Sequence, residues 1–400
     1  MPILPLTGNY AVAWAVKRAK VKVIAAYPIT PQTTIVEKLS EMVEKGELSA
    51  KMIRVESEHS ALAAVYGAAI AGARAFTATS SHGLLYMHEV LWWVAGSRVP
   101  LVMAVVTRAI GPPWNIWTDH SDIWGQRDTG WIIAMAEDNQ EVFDLTLQAF
   151  RITEDDKVNL PMIVGLDAFI LSHTTAPVDV LEQEDVDAWL PPRKQLYVID
   201  PNNRFSMGNI ATPKDYMMLR YDIEKAMNNA REVIKNIDKE YGKYFGRSYG
   251  GLVECYKCSD SKYLIILAGA WAGDAKEAVD RLREEGLPVG VLRIRFIRPF
   301  PVQEVLSYCN SMKGVLIMDR SISFGNAGPL FIEVSSTLGN LGKPPAMKGV
   351  LAGIGGVDVG YKDISKIMKK FIGEVEEQGW FVKRQEWYMP YEYEFMDIKS

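Results

Sequence analysis

The stretch VKVIAAYPITPQTTIVEKLSEM, residues 21–42, decides the fold. Residues 21–26 read as a short buried strand, apolar on both faces but for Lys22, as in a parallel sheet. Tyr27-Pro28-Ile29-Thr30 is a turn stiffened by proline. Residues 31–42 carry helical spacing, with Thr30 at the N-cap and Pro31 at the first helical position. The same strand–loop–helix unit then recurs. Residues 52–55, 73–79, 100–106, 131–136 and 161–166 read as strands, and 58–72, 84–95 and 141–151 as helices. Strands alternating with helices of about 10–15 residues indicate βαβ units, hence an α/β fold with a parallel sheet.

From about 172 to 215 the pattern breaks. Pro177, Pro191, Pro192, Pro201 and Pro213 punctuate an irregular connector. Ile223, Met227, Ala230, Ile234, Ile237, Tyr241 and Tyr244 then step by three or four, which predicts an amphipathic helix over about 220–245. Gly246, Gly250 and Gly251 end it. A second α/β unit begins near 262, with strands at 263–267, 289–296, 315–318 and 348–351. Its helices are expected at 274–285, 303–308, 329–338 and 364–371. An aromatic tail over 380–393 is expected to pack on a neighbour. The expected organisation is a domain over 1–215 including its connector, a bridging helix over 216–250, and a second domain over 255–400.

The bulk properties exclude several classes of function. The chain has 400 residues, 48% of them hydrophobic and 23% charged, which suits a globular protein with a large core. Its net charge of −5 lacks the basic footprint of general nucleic-acid binding. No apolar run approaches the roughly 18 residues of a membrane helix, and residues 1–9 do not resemble a secretion signal. Three cysteines, Cys255, Cys258 and Cys309, are too few for a disulfide framework, so a reducing, cytoplasmic setting is expected. Cys255-x-x-Cys258 is half of a zinc or four-iron ligand set, and no second pair exists. It reads as structural, or as a metal or redox pair.

Four polar loops follow successive strands: 27–30, 57–59, 80–83 and 107–108. Ligands of open parallel sheets bind outside the carboxyl ends of the strands, so these loops share one edge. Thr30 reads as a cap or as a hydroxyl in a rigid binding loop. Glu58 opens a helix, where the dipole favours a carboxylate, or is buried for a chemical reason. Glu56 alternates with it, and either could face outward. Arg108 can meet a substrate carboxylate or phosphate through its fork, or pair with Asp119 or Asp122. Trp114, Trp117, Trp124 and Trp131 crowd the loop that follows, as in a core or an interface. The five histidines lack metal-ligand spacing. Ser80 and Ser81 lack a nucleophile elbow. The glycines Gly269, Gly273, Gly353, Gly355 and Gly356 do not complete a dinucleotide fingerprint.

Several ordered motifs together carry a resemblance. They are YPITPQT at 27–33, VESEHSALAAVYGA at 55–68, FTATSSHGLLYMHE at 76–89, DHSD at 119–122, QRDTGW at 126–131 and AFILSH at 168–173. RPFP at 298–301 and the stretch 319–328 add to them. The chain resembles the α subunit of 2-oxoacid:ferredoxin oxidoreductases, most closely those acting on pyruvate, over nearly its whole length. The resemblance implies a thiamine-diphosphate enzyme, with a pyrimidine-binding domain followed by one like the C-terminal domain of transketolases. It implies that Mg²⁺ and [4Fe-4S] clusters lie on partner subunits of β, γ and δ type. Ferredoxin and coenzyme A would be the further reactants. It places Glu58 on the aminopyrimidine ring, with Tyr27, Pro28, Ile29, Ser81 and His82 around the cofactor. Thr30 and Arg108 would orient the 2-oxoacid. His82 departs from the glutamine common at this position. Branched-chain 2-oxoacid relatives share these motifs. A thiamine-dependent decarboxylase or transketolase component without ferredoxin is another enzyme reading. A non-catalytic scaffold subunit is the reading from a different class.

Overall fold

The computed structural model describes residues 2–194, 197–202, 204, 206–379 and 384–390. The chain divides into two compact units. The first comprises residues 1–255 with 268–270 and 293–304, the second 256–267, 271–292 and 305–400.

The first unit opens with β1 (Ile3–Thr7) and helix α1 (Gly8–Arg18), capped by the Thr7 hydroxyl, which accepts the Tyr10 N–H. There follow β2 (Val23–Ala25), α2 (Thr33–Glu44), β3 (Lys51–Ile53), α3 (Glu58–Ile70) and β4 (Ala75–Thr79). Next come α4 (Ser81–Tyr86), α5 (His88–Gly96), β5 (Val102–Thr107) and α6 (Ser121–Trp124). The series closes with β6 (Ile132–Met135), α7 (Asn139–Thr153), β7 (Met162–Asp167) and β8 (Thr175–Asp179).

The main sheet runs in the order Phe296–Arg298, β6, β7, β5, β4, β2, β3. All its pairs are parallel except Phe296–Arg298 against β6. Every residue of β4, β5, β6 and β7 is buried, as helices on both faces of a parallel sheet require. The chain leaves β2 for β3 on one side and returns to β4 on the other. The order reverses between β2 and β4, and the crevice there is where open α/β sheets take ligands.

Local details differ from the expectations in instructive ways. The helix after β2 starts at Thr33, not Pro31, and Thr30 caps nothing. Gln32 sits at the cap position fully buried, its amide donating to the Ala78 carbonyl at 2.6 Å. Tying residue 32 to β4 leaves residues 30–32 as a turn. The expected single helix over 84–95 is two, α4 and α5, divided at Met87. The ribbon of β1 with β8 uses part of the proline-rich connector as an antiparallel strand. The long helix spans Pro213–Phe245 and belongs to the first unit. Pro213 is its first-turn proline and not part of the connector, and Thr212 caps it by accepting the Asp215 N–H. Its stripe is buried from Ile223 to Tyr241 and continues through Phe245, while Tyr244 points to solvent. Gly246, at φ 75°, ends it in a left-handed turn.

The second unit carries the parallel strands Tyr263–Leu267, Gly314–Asp319, Ala346–Leu351 and Gln385–Trp387 side by side. Helices Trp271–Glu284, Pro329–Leu338 and Tyr361–Gln378 bury apolar faces in the same unit. Asp319 is buried at the end of its strand and accepts the Leu330 and Phe331 N–H groups of the next helix. Of the aromatic tail over 380–393, residues 380–383 and 391–393 lie outside the described residues. Cys255 and Cys258 form one local disulfide. Cys309 is a buried free thiol pushed up to about 12 by burial. Among the described residues no helix is long and apolar enough to cross a membrane, and no group of three or more His, Cys, Asp or Glu is arranged to hold a metal.

A buried ion cluster closes the first unit. Glu141, at the start of α7, meets Arg293 Nη1 and Arg295 Nε, each at 2.6 Å, and all three are almost wholly buried. Burial raises the carboxyl, and the two guanidinium groups outweigh it, bringing Glu141 to about 2. That stabilisation is complete above the ordinary carboxylate range and is lost as pH falls from about 4.5 towards 2. Glu141→Gln should cost about 3 kcal/mol at neutral pH by removing the charge shared by two buried guanidinium groups, with Arg293 keeping Glu254 at 2.7 Å and Glu137 at 3.3 Å. Thermal melts of wild type and variant should draw together as pH falls from about 4.5 and converge near pH 2.

Candidate active site

The loops after β2, β4 and β5 meet at the crevice where the strand order reverses, and the start of α3 joins them. Ser57 caps α3, its hydroxyl accepting the Ser60 N–H at 3.2 Å. This sets the phase of the two glutamates. Glu56 is exposed and accepts from the Ser60 hydroxyl, whereas Glu58 is only 9% exposed. Among the described residues nothing donates a hydrogen bond to the Glu58 carboxylate. Gly83 closes one side of it so tightly that a Cβ would collide with Thr79 Oγ1 and lie 2.8 Å from Glu58 Oε1.

Arg108 follows β5 and is 5% exposed. Its Nη1 donates to the Thr30 carbonyl at 2.6 Å and its Nη2 lies 3.2 Å from His82 Nδ1. Trp114 lies under the guanidinium at 5.6 Å. Burial pushes the Arg108 pKa down, and the Asp122 and Glu58 carboxylates oppose that shift. Glu58 and Arg108 therefore share one field, and Thr30 touches Arg108.

Asp122 organises this edge from below. It is fully buried, and its Oδ2 accepts the Ser81 N–H at 2.9 Å and the Arg108 N–H at 3.0 Å. Its Oδ1 accepts its neighbour Ile123 N–H at 2.7 Å. Burial pushes its carboxyl up to about 7 against those three donors. The expected pairing of Arg108 with Asp119 or Asp122 is thus replaced by a backbone bond to Asp122, leaving the fork for the crevice. The choice of backbone over side chain is not written in the DHSD motif.

The other expected residues divide into two groups. Tyr27 and Pro28 are exposed and Ile29 half-buried, forming the outer wall. Thr30 is exposed on its turn. Ser81 is fully buried, and its hydroxyl donates to the Ala109 carbonyl at 2.6 Å, so it braces the floor. Trp114 and Trp117 are exposed, and Trp124 and Trp131 are core. Each histidine has a polar partner, among them His120 with Asp167 at 2.7 Å and His88 with Gln126 at 2.6 Å. Sequence reasoning missed Gln32 and Thr79. Both are fully buried, which neither residue type announces in the sequence.

Among the described residues the Glu58 carboxylate accepts no hydrogen bond, and it lies beside Gly83 at the switch point of a parallel sheet, where open α/β folds take ligands. Residues 14–239 match the family model described as pyruvate flavodoxin/ferredoxin oxidoreductase, thiamine diphosphate-binding. Residues 261–364 match pyruvate:ferredoxin oxidoreductase core domain II. The ketoisovalerate oxidoreductase subunit VorA of Pyrococcus horikoshii is 47% identical, over 96% of this chain and 97% of that one. The pyruvate synthase subunit PorA of Pyrococcus abyssi is 45% identical, over 92% and 93%. In fold, the chain is similar to 2-oxoglutarate:ferredoxin oxidoreductase from Magnetococcus marinus, with a TM-score of 0.71 at 20% identity. That match covers 92% of this chain and 65% of the other. A split-gene transketolase matches at a TM-score of 0.53 and 11% identity, over 92% of this chain and 98% of the other. The chain belongs to the pyruvate flavodoxin/ferredoxin oxidoreductase family, as an α subunit of the 2-oxoacid:ferredoxin oxidoreductases.

Asp122→Ala should strand the Ser81 and Arg108 amides in a dry site, at a cost on the order of 3 kcal/mol. A thermal midpoint within a degree of wild type would remove Asp122 from this bracing role.

Proposed function

We propose that this chain supplies the pyrimidine-side half of a thiamine-diphosphate site that oxidatively decarboxylates a 2-oxoacid, with pyruvate as the substrate. The acyl group passes to coenzyme A and the electrons to ferredoxin. The observation that carries this reading is the buried Glu58 carboxylate, which has no donor among the described residues and shares a field with Arg108.

Thiamine diphosphate, when bound, supplies a nucleophilic carbon and an electron sink for loss of CO₂. The chain's own residues bind and orient. Glu58 offers an acceptor-only group to an N–H of the aminopyrimidine ring, and its burial strengthens that bond. Tyr27, Pro28 and Ile29 wall the ring from solvent. Ser81 fixes the floor, and His82 stands between it and Arg108. The Arg108 guanidinium meets the 2-oxoacid carboxylate, and the Thr30 hydroxyl orients the oxo group. Mg²⁺ and the [4Fe-4S] clusters are assigned to partner subunits of β, γ and δ type. The setting is cytoplasmic, and the chain is active only when assembled.

A second reading has its own support. The relatives at 47% identity are ketoisovalerate subunits, and Trp114 puts an aromatic surface against the guanidinium. That surface suits a branched 2-oxoacid such as 2-oxoisovalerate. A scaffold role is disfavoured by the convergence of Thr30, Glu58 and Arg108 on one crevice.

In the assembled complex, Glu58→Gln should abolish CO₂ release while thiamine diphosphate still binds weakly. Turnover near wild type would end the assignment. Arg108→Ala should raise KM for the 2-oxoacid by about 10–100-fold, the value of a charged hydrogen bond, with little change in cofactor affinity. Comparing kcat/KM for pyruvate and 2-oxoisovalerate in the wild type decides between the two substrates.

A further inference from the structure

We propose that His82 is a positioning residue that holds the Arg108 fork in the orientation that receives the substrate carboxylate. The proposal rests on the assignment of Arg108 to that carboxylate.

A guanidinium only donates hydrogen bonds. His82 Nδ1, 3.2 Å from Arg108 Nη2, must therefore be the acceptor. This fixes the tautomer: a neutral ring carries its proton on Nε2. Nε2 faces Gly111, whose carbonyl lies at 3.3 Å and whose N–H lies at 3.2 Å. With the proton on Nε2, the ring donates to the Gly111 carbonyl, while the Gly111 N–H approaches the same nitrogen at 3.2 Å. One ring thus joins the guanidinium to the loop that starts at Gly111 and carries Trp114. Gly111 is itself packed against the Trp114 Cβ with no room for a side chain.

The mount of the ring is rigid. Its neighbour Ser81 is fixed by an N–H bond to Asp122 and a hydroxyl bond to the Ala109 carbonyl. The Arg108 N–H is bonded to the same Asp122 oxygen as Ser81. Histidine and arginine therefore stand on one carboxylate, and their side chains meet above it. Thr30 and His82 each take one Arg108 N–H, on Nη1 and on Nη2. Three N–H groups remain, including the buried Nε–H, which bonds to nothing among the described residues. Two parallel N–H groups are what a carboxylate takes from a guanidinium. Without the His82 acceptor the Nη2 side is free to rotate away from the crevice.

The test uses the assembled complex with its partner subunits. His82→Phe keeps the ring's shape and removes both nitrogens. His82→Gln keeps one acceptor and one donor. The phenylalanine variant should raise KM for the 2-oxoacid about tenfold, the value of one hydrogen bond to a charged group, and change kcat by less than that. The glutamine variant should stay within about threefold of wild type in KM. In an Arg108→Ala background, His82→Phe should have no further effect on KM. A wild-type KM in His82→Phe, or a glutamine variant as impaired as the phenylalanine one, overturns the proposal. If Arg108→Ala raises KM and His82→Phe does not, only His82 loses its role. If Arg108→Ala leaves KM unchanged, the substrate assignment falls and takes this proposal with it. His82→Leu replaces the phenylalanine variant should that chain fail to assemble.

Discussion

A single buried carboxylate sets the geometry of the functional edge. Asp122 gathers the first amide after β4's loop and the first after β5 onto one oxygen. Parallel neighbours in a sheet fix the strands but leave the loops beyond them free to diverge. Asp122 removes that freedom by satisfying donors that would otherwise be buried unpaired. Everything presented to the crevice from this side, His82 and Arg108 included, is built on those two amides. Keeping this carboxylate out of water carries an electrostatic penalty, visible in its rise to about 7. Concentrated strain of this kind is typical of the parts of a fold that hold reactive groups in place.

The second unit also holds a buried carboxylate that gathers backbone amides, at the end of a strand and not in a connecting helix. Asp319 ends a parallel strand, accepts two amides from the next helix, and is also raised to about 7. Gly328 is packed directly onto that carboxylate. Arg320 next to it stacks on Trp271 at 4.4 Å. The first unit differs in that its second buried carboxylate, Glu58, has no donor among the described residues. Asp122 and Asp319 are satisfied by backbone amides, whereas the acceptor capacity of Glu58 is left open, as the role proposed for it requires.

Much of the architecture was legible in the sequence because buried parallel strands are short apolar runs bounded by turn residues. The strand Tyr263–Leu267 and the helix Pro329–Leu338 have the limits their patterns predict. Helix α1 was not legible: Ala11, Val12, Ala13, Ala15 and Val16 are all buried, so no polar face breaks its apolar run. The cap of α2 was misplaced because Gln32, an ordinary surface residue type, spends its amide on β4. The split at Met87 has no glycine or proline to announce it. At the site, the grouping of four loops on one edge followed from topology alone. The choice between Glu56 and Glu58 did not, since it depends on where the Ser57 cap starts the helix. The family resemblance supplied roles that spacing could not, and the side-chain geometry then showed which groups remain available.

The first unit is not contiguous in sequence. Its edge strand Phe296–Arg298 and the arginines that neutralise Glu141 arrive about 150 residues after α7, as residues 293–304. A chain emerging from the ribosome holds a complete crevice sequence by residue 173 yet still lacks the cations for its buried acid and the last strand of its sheet. The two units are thereby committed to a common schedule of synthesis: the first cannot finish until most of the second's opening βα segment has been made. A gene split anywhere between the two segments would have to bring residues 293–304 back as a separate chain, with the ion cluster as its docking point.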